Sequence, residues 1–113
     1  MNESCLFCRI VRGEIAAERL AESDNAIAIR DVAPQAPVHV LVIPKVHVQS
    51  LAQATNGAEL GELMLLAAKV ARDNGLADDG YRVVVNSGHN GGQTVQHLHL
   101  HVLGGRPMAW PPG

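Results

Sequence analysis

Three histidines stand at strict two-residue spacing near the end of this 113-residue chain, in the run His97-Leu98-His99-Leu100-His101-Val102-Leu103. Two residues is the repeat of an extended strand, whose alternate side chains leave the same face. A strand over this run puts three imidazoles on one surface and Leu98, Leu100 and Val102 on the other. A helix would scatter the rings, with successive members about 200° apart. Three rings on one face can hold a metal, bind a phosphate, or supply a nucleophile and a proton donor near neutral pH. Burying them for packing alone would be costly.

Apolar residues make up 47% of the chain and charged residues 18%, a globular mixture rather than a disordered one. The length suits one domain over residues 1–113. A net charge of -2 with no run of like charges offers no basic stripe for nucleic acid. No N-terminal apolar stretch resembles a signal peptide, and no window approaches a membrane span. The expectation is a cytoplasmic protein with neither nucleic acid nor membrane as a partner. The only two cysteines, Cys5 and Cys8, are too close together to staple distant segments. Thiol or metal chemistry is expected there, not a structural disulfide.

Residues Cys5 to Val11 read as a short helix that Gly13 ends. Glu18 to Ala21 and Ala26 to Ile29 read as strands around a turn at Ser23-Asp24-Asn25. A Pro-rich connector from Asp31 to Pro37 leads into the strand Val38 to Ile43, which Pro44 stops. The clearest helix spans about 57–74, with Asn56 and Glu59 resembling a capping box and Gly75 as its stop. Leu60, Leu63, Met64, Ala67, Val70 and Ala71 fall at the spacing of one buried stripe. Tyr81 to Asn86 and the histidine run complete the strands. This order predicts an α+β fold with a mostly antiparallel sheet.

A Gly-rich segment, Asn86-Ser87-Gly88-His89-Asn90-Gly91-Gly92-Gln93-Thr94, precedes the histidine run. Alone it reads as a flexible hairpin loop; next to the three histidines it reads as a phosphate cradle. Cys5-x-x-Cys8 has the spacing of a zinc half-site or of a redox pair. Zinc needs two further ligands, which His47 and one histidine of the triple can supply.

The pattern His-φ-His-φ-His-φ-φ, with φ apolar, resembles the signature of the histidine-triad (HIT) superfamily, and its Hint branch above all. The likeness extends over Phe7, Gly13-Glu14-Ile15, Asp31, the segment Pro34 to His39, the segment Leu41 to Lys45, and His47. It resumes at Tyr81 to Asn86, Gly91-Gly92-Gln93, Gly104 to Met108 and Trp110 to Gly113. The resemblance implies a homodimer whose two five-stranded antiparallel sheets join into one of ten strands, each subunit carrying one long and one short helix. It also implies hydrolysis of purine nucleoside 5′-phosphoramidates to an amine and a nucleoside monophosphate.

Carried over by position, His99 is similar to the nucleophile that forms a nucleotidyl-histidine intermediate. His101 resembles the residue on the phosphate and leaving-group side, and His97 and His39 would orient the nucleophile. Asp31 would accept from the ribose hydroxyls, and Phe7 and Ile15 would flank the base. Asn86, Gly92, Gln93 and Thr94 would contact phosphate or leaving group. Relatives that keep the cysteine pair imply a structural zinc on Cys5, Cys8, His47 and His97, with no metal required for catalysis. Ala16 stands where the family usually has Pro, and Ile29 where an aromatic is common, which implies a more aliphatic base pocket. Three other readings share these residues: a regulatory nucleotide-binding protein with residual hydrolysis, a dinucleotide polyphosphate hydrolase, and a catalytic metal held by His97, His99 and His101.

Overall fold

A computed structural model describes residues 4–113. In chain order it contains α1 (Leu6–Val11), β1 (Arg19–Glu22), β2 (Ala26–Arg30), β3 (Val38–Pro44), a 3-10 turn at Leu51–Gln53, α2 (Gly57–Asp73), β4 (Tyr81–Val85) and β5 (Leu100–Gly104). The strands form one antiparallel sheet in the order β1-β2-β3-β5-β4. An α+β architecture with one long and one short helix is therefore what the chain adopts. The sequence-derived boundaries of β1, β2, β4 and α2 lie within one residue of these.

Both helices end where a glycine can take the left-handed conformation. Asn56 accepts from the Glu59 N–H at 3.1 Å to start α2. Gly75, at φ 74°, then closes it, with the Gly75 N–H donating to Arg72 and the Leu76 N–H to Ala71. Leu76 turns inward from that stop and joins the core. Gly13, at φ 78°, ends α1 in the same way.

Alternation along the strands gives the sheet two distinct faces. Ala26, Ala28, Val40, Val42, Leu100 and Val102 pack with Leu63, Leu66, Ala67, Val70 and Ala71 of α2. The two small alanines let the helix approach β2 closely. Ile27, Ile29, Leu41 and Ile43 leave by the other face and pack with Phe7, Cys8 and Ile10 of α1. The chemistry-bearing side chains also lie on that second face, because His39 shares parity with Leu41, and His101 opposes Leu41 across the ladder.

Two sequence-based readings are corrected here. The last strand begins at Leu100, so His97, Leu98 and His99 precede it and only His101 of the triple lies in the ladder. The backbone groups that would extend the pairing are engaged elsewhere. The Leu98 N–H donates to the Val48 carbonyl at 2.7 Å, and the Pro44 carbonyl lies 2.9 Å from Nε2 of His97. On α2, Met64 is half exposed at the rim of the buried stripe, and Leu66 is buried instead.

Candidate functional site

Strand β3 and the β5 segment bring His39, His99 and His101 to one wall of a cavity of about 620 Å3. Phe7, Ile10 and Ile15 form its apolar side, and Asp31 and Thr94 add polar groups. Ala16 and Ile29, the two departures from the family pattern, both line it. The expected phosphate-side residues divide. Thr94 reaches the cavity, whereas Asn86, Gly92 and Gln93 are not among its lining. The Asn86 amide donates to the Gly91 carbonyl at 2.7 Å. Gln93 braces the loop with three bonds, accepting from the Gly88 N–H and donating to the carbonyls of Gln49 and Val95.

The protons on the rings follow from their partners. Nδ1 of His99 lies 2.7 Å from the carbonyl of His97, which can only accept. Nδ1 therefore carries a proton, and in the neutral ring the lone pair is on Nε2. Nδ1 of His39 accepts from the Gln35 N–H at 3.0 Å, so its proton sits on Nε2. That Nε2–H faces Nδ1 of His101 at 2.9 Å and a carboxylate oxygen of Asp31 at 3.3 Å. Nδ1 of His101 is thus an acceptor, and Nε2–H is the group that ring has left to offer.

Electrostatics favour the neutral form of His101 and His39. Burial pushes His101 down to about 4, with His99 and His39 adding to the fall and Asp31 opposing it. His39 is lowered by burial and partly restored by Asp31. His39 bonds to His101, whose ring in turn meets that of His99 at 5.0 Å.

His97 turns away from the cavity altogether. Its ring is fully buried, and burial holds it down to about 4. Nε2 donates to the Pro44 carbonyl, which leaves Nδ1 as a lone pair directed at the two thiols. Nδ1 lies 3.3 Å from Sγ of Cys5, 3.5 Å from Sγ of Cys8 and 3.2 Å from Nδ1 of His47. Sγ of Cys8 is 3.3 Å from Nδ1 of His47, and Cys5 and Cys8 form no disulfide. Zinc bonds of about 2.3 Å to sulfur and about 2.0–2.1 Å to nitrogen, at tetrahedral angles, set ligand atoms roughly 3.3–3.8 Å apart. Two thiols and two imidazoles at these separations fit such an ion, and the His97–Pro44 bond is the usual outer support of a ligating ring.

The three histidines of the run do not converge on one metal. Asp31, His39 and His101 do lie within 4.8 Å of one another. They fit a hydrogen-bond chain better, because the His39 nitrogen facing the group is the protonated one.

Sequence reasoning did not find the backbone groups that set these tautomers, those of Gln35, Pro44 and His97. A carbonyl or N–H has no residue-type signature. It is placed only by the course of the chain.

The HIT domain profile matches residues 12–108 of this chain. It is similar to uncharacterized HIT-like proteins of Synechococcus elongatus and of a Synechocystis species, at 53% and 52% identity over 115 residues, with the whole of each chain covered. Among solved structures it is similar to a HIT family hydrolase from Legionella pneumophila, with TM-score 0.94 and 47% identity over 96% of this chain and 99% of that one. It is also similar to a Zn-bound histidine triad family protein from Mycobacterium smegmatis, with TM-score 0.82 and 38% identity over 91% of this chain and 76% of that one.

Proposed function

The chain belongs to the HIT domain family, and from that premise we propose that it is a Hint-type hydrolase of purine nucleoside 5′-phosphoramidates. The observation that carries the reading is the bond from Nδ1 of His99 to the His97 carbonyl. It leaves an unprotonated Nε2 on a ring that lines the cavity, which is the form an attacking imidazole needs.

In this reading Nε2 of His99 forms a bond to the α-phosphorus as the P–N bond to the amine breaks. The neutral Nε2–H of His101 donates a hydrogen bond to the leaving-group side as charge shifts there. Its direction is held by the chain from Gln35 through His39. Water then attacks the phosphorus, cleaves the nucleotidyl-histidine bond and frees the monophosphate. The amine leaves as a neutral molecule, its nitrogen having taken a proton from solvent before the P–N bond breaks. The water that attacks in the second step returns that proton, so that one water in all supplies the hydroxyl to phosphorus and the proton to the amine. Asp31 accepts from the ribose hydroxyls, Phe7 and Ile15 flank the base, and Asn86, Gly92, Gln93 and Thr94 serve the phosphate end.

Cys5, Cys8, His47 and His97 would hold a structural zinc, whose bonds would tie α1 to the β3 and β5 segments. Catalysis is assigned to the histidines, without a metal. Strand β4 stands at the open edge of the sheet, which supports a homodimer with joined sheets.

The test is release of free amine from an adenosine 5′-phosphoramidate by wild type and by His99→Ala. Turnover by wild type alone, with a nucleotidyl adduct trapped at His99, is the expected result. Binding of monophosphate without turnover by wild type would favour a regulatory nucleotide-binding protein, and cleavage of a dinucleotide polyphosphate alone would favour another HIT branch.

A further inference from the structure

We infer that the Cys5, Cys8, His47 and His97 centre, with zinc in it, positions the nucleophilic nitrogen of His99 through the peptide that joins His97 to Leu98. The inference rests on the reading of His99 as nucleophile and of the cluster as a zinc centre.

One peptide unit does two jobs. Its carbonyl accepts from Nδ1 of His99 at 2.7 Å, and its N–H, that of Leu98, donates to the Val48 carbonyl at 2.7 Å. The plane of that peptide sets where the His99 ring stands. Val48 directly follows His47, and Leu98 directly follows His97, so two of the four cluster residues flank this bond from both sides. His97 is further held by its own ring, through Pro44.

The other two cluster residues reach His99 by a second route. Phe7 lies between Cys5 and Cys8 on the first turn of α1, and Cys5 caps that helix by accepting from the Cys8 N–H at 3.4 Å. The Phe7 ring meets the His97 ring edge-on at 5.8 Å and the His99 ring edge-on at 5.1 Å. His97 thus contacts His99 through its own carbonyl, His47 and Cys8 adjoin Val48 and Phe7, and Cys5 acts by capping the turn that carries Phe7.

Thiol and imidazole contacts at 3.3–3.5 Å are weak and directionally loose on their own. Zinc, when bound, supplies four bonds of fixed length and angle in their place. A misplacement of about 1 Å at a reacting group can cost on the order of 10²-fold in rate. The cluster residues are therefore positioning residues, and their effect belongs in kcat rather than KM.

The test compares four forms of the full chain at one fixed pH: zinc-loaded wild type, wild type exchanged into cadmium, His47→Ala, and His47→Cys, which keeps four ligands. Zinc content is measured first. Ring nitrogen NMR of His99 and the exchange rate of its Nδ1–H are then read, with His89 as an internal control. The zinc form is expected to show a protonated Nδ1 and a lone-pair Nε2. Cadmium, a larger ion that keeps the site filled, is expected to shift the His99 ring signals and spare His89. His47→Ala is expected to speed Nδ1–H exchange and to lower kcat about tenfold, with KM for the phosphoramidate changed less than about threefold. His47→Cys is expected to restore both.

The inference is overturned if wild type takes up no zinc, or if the His99 ring is unmoved by cadmium exchange or by verified metal loss. The cadmium arm decides the question even where His47→Ala fails to fold. A His99 ring that follows the metal in a protein releasing no amine would sink the phosphoramidase reading and leave this one. Equal amine release by all forms, with an unmoved ring, would do the reverse.

Discussion

Nε2 of His39 lies 2.9 Å from Nδ1 of His101, and the bond between them runs in only one direction. The Gln35 N–H occupies the far side of His39, so His39 donates and His101 accepts. Adding a proton to His101 at Nδ1 would set two donors against each other.

Acidification should therefore destabilise the fold. Both rings have pKa values below that of a free histidine, His101 at about 4 and His39 lowered by burial. Between about 4 and the unfolded value of about 6.5, the unfolded chain binds more protons than the folded one, so stability rises with pH. The expectation is a plateau above about pH 6.5 and a loss below it. For His101 that loss is bounded by roughly 1.4 kcal/mol per pH unit and reduced by solvent screening, with His39 adding to the fall in the same direction. Denaturant midpoints at pH 7.5, 6 and 5 check this, and His101→Gln should flatten the slope. A stability unchanged from pH 7.5 to 5 would refute it. Zinc loss in acid adds to the fall in both proteins, and the difference between them isolates His101.

His99→Ala should lower amine release by on the order of 10³-fold or more while leaving monophosphate affinity within a few-fold. Stopped assays and calorimetry separate the two effects. Wild-type turnover in the variant would remove His99 from the role of nucleophile.

Cys8→Ser should lose stoichiometric zinc and lower the thermal midpoint. Cys8 is fully buried and close to both imidazoles, so the substitution removes one of the four groups that would hold the ion, and with it the ion's contribution to folding. Elemental analysis with a thermal melt is the measurement. Full zinc occupancy in the variant would exclude the four-residue site.

Two glycine substitutions should move stability in opposite directions. A Cβ on Gly91 would stand 2.5 Å from the Ser87 carbonyl oxygen, a backbone atom that cannot swing aside. Gly91→Ala is expected to cost about 1–3 kcal/mol. Gly61, in the middle of α2, meets nothing within 4 Å, and Gly61→Ala should gain about 0.5–1 kcal/mol through helix propensity. Denaturant unfolding of the pair distinguishes the effects.

Element order and the two faces of the sheet were legible because they rest on period and capping. Asn56, Gly75 and the alternation through Val38 to Ile43 are local signals, read without knowing the partner strand. The company kept by each histidine was not legible. Spacing predicts one shared surface for His97, His99 and His101, yet the pairing stops at Leu100 and His97 serves a different centre. That outcome depends on the Pro44 and Val48 carbonyls, which arrive from β3 and the loop after it. Met64 was misplaced for a related reason: a stripe drawn on a helix has no rim until the sheet beneath defines one.

The alternation along β3 has an evolutionary corollary. Val40 and Val42 answer to α2, while His39 and Leu41 answer to the cavity, and the two sets interleave residue by residue. One short stretch of gene thus carries two interwoven texts, one read by selection on folding and the other by selection on chemistry. Lineages can rewrite the helix-side letters by compensating swaps of similar volume while the other text stays unedited. Drift across this strand should accordingly be fast and slow at alternate positions.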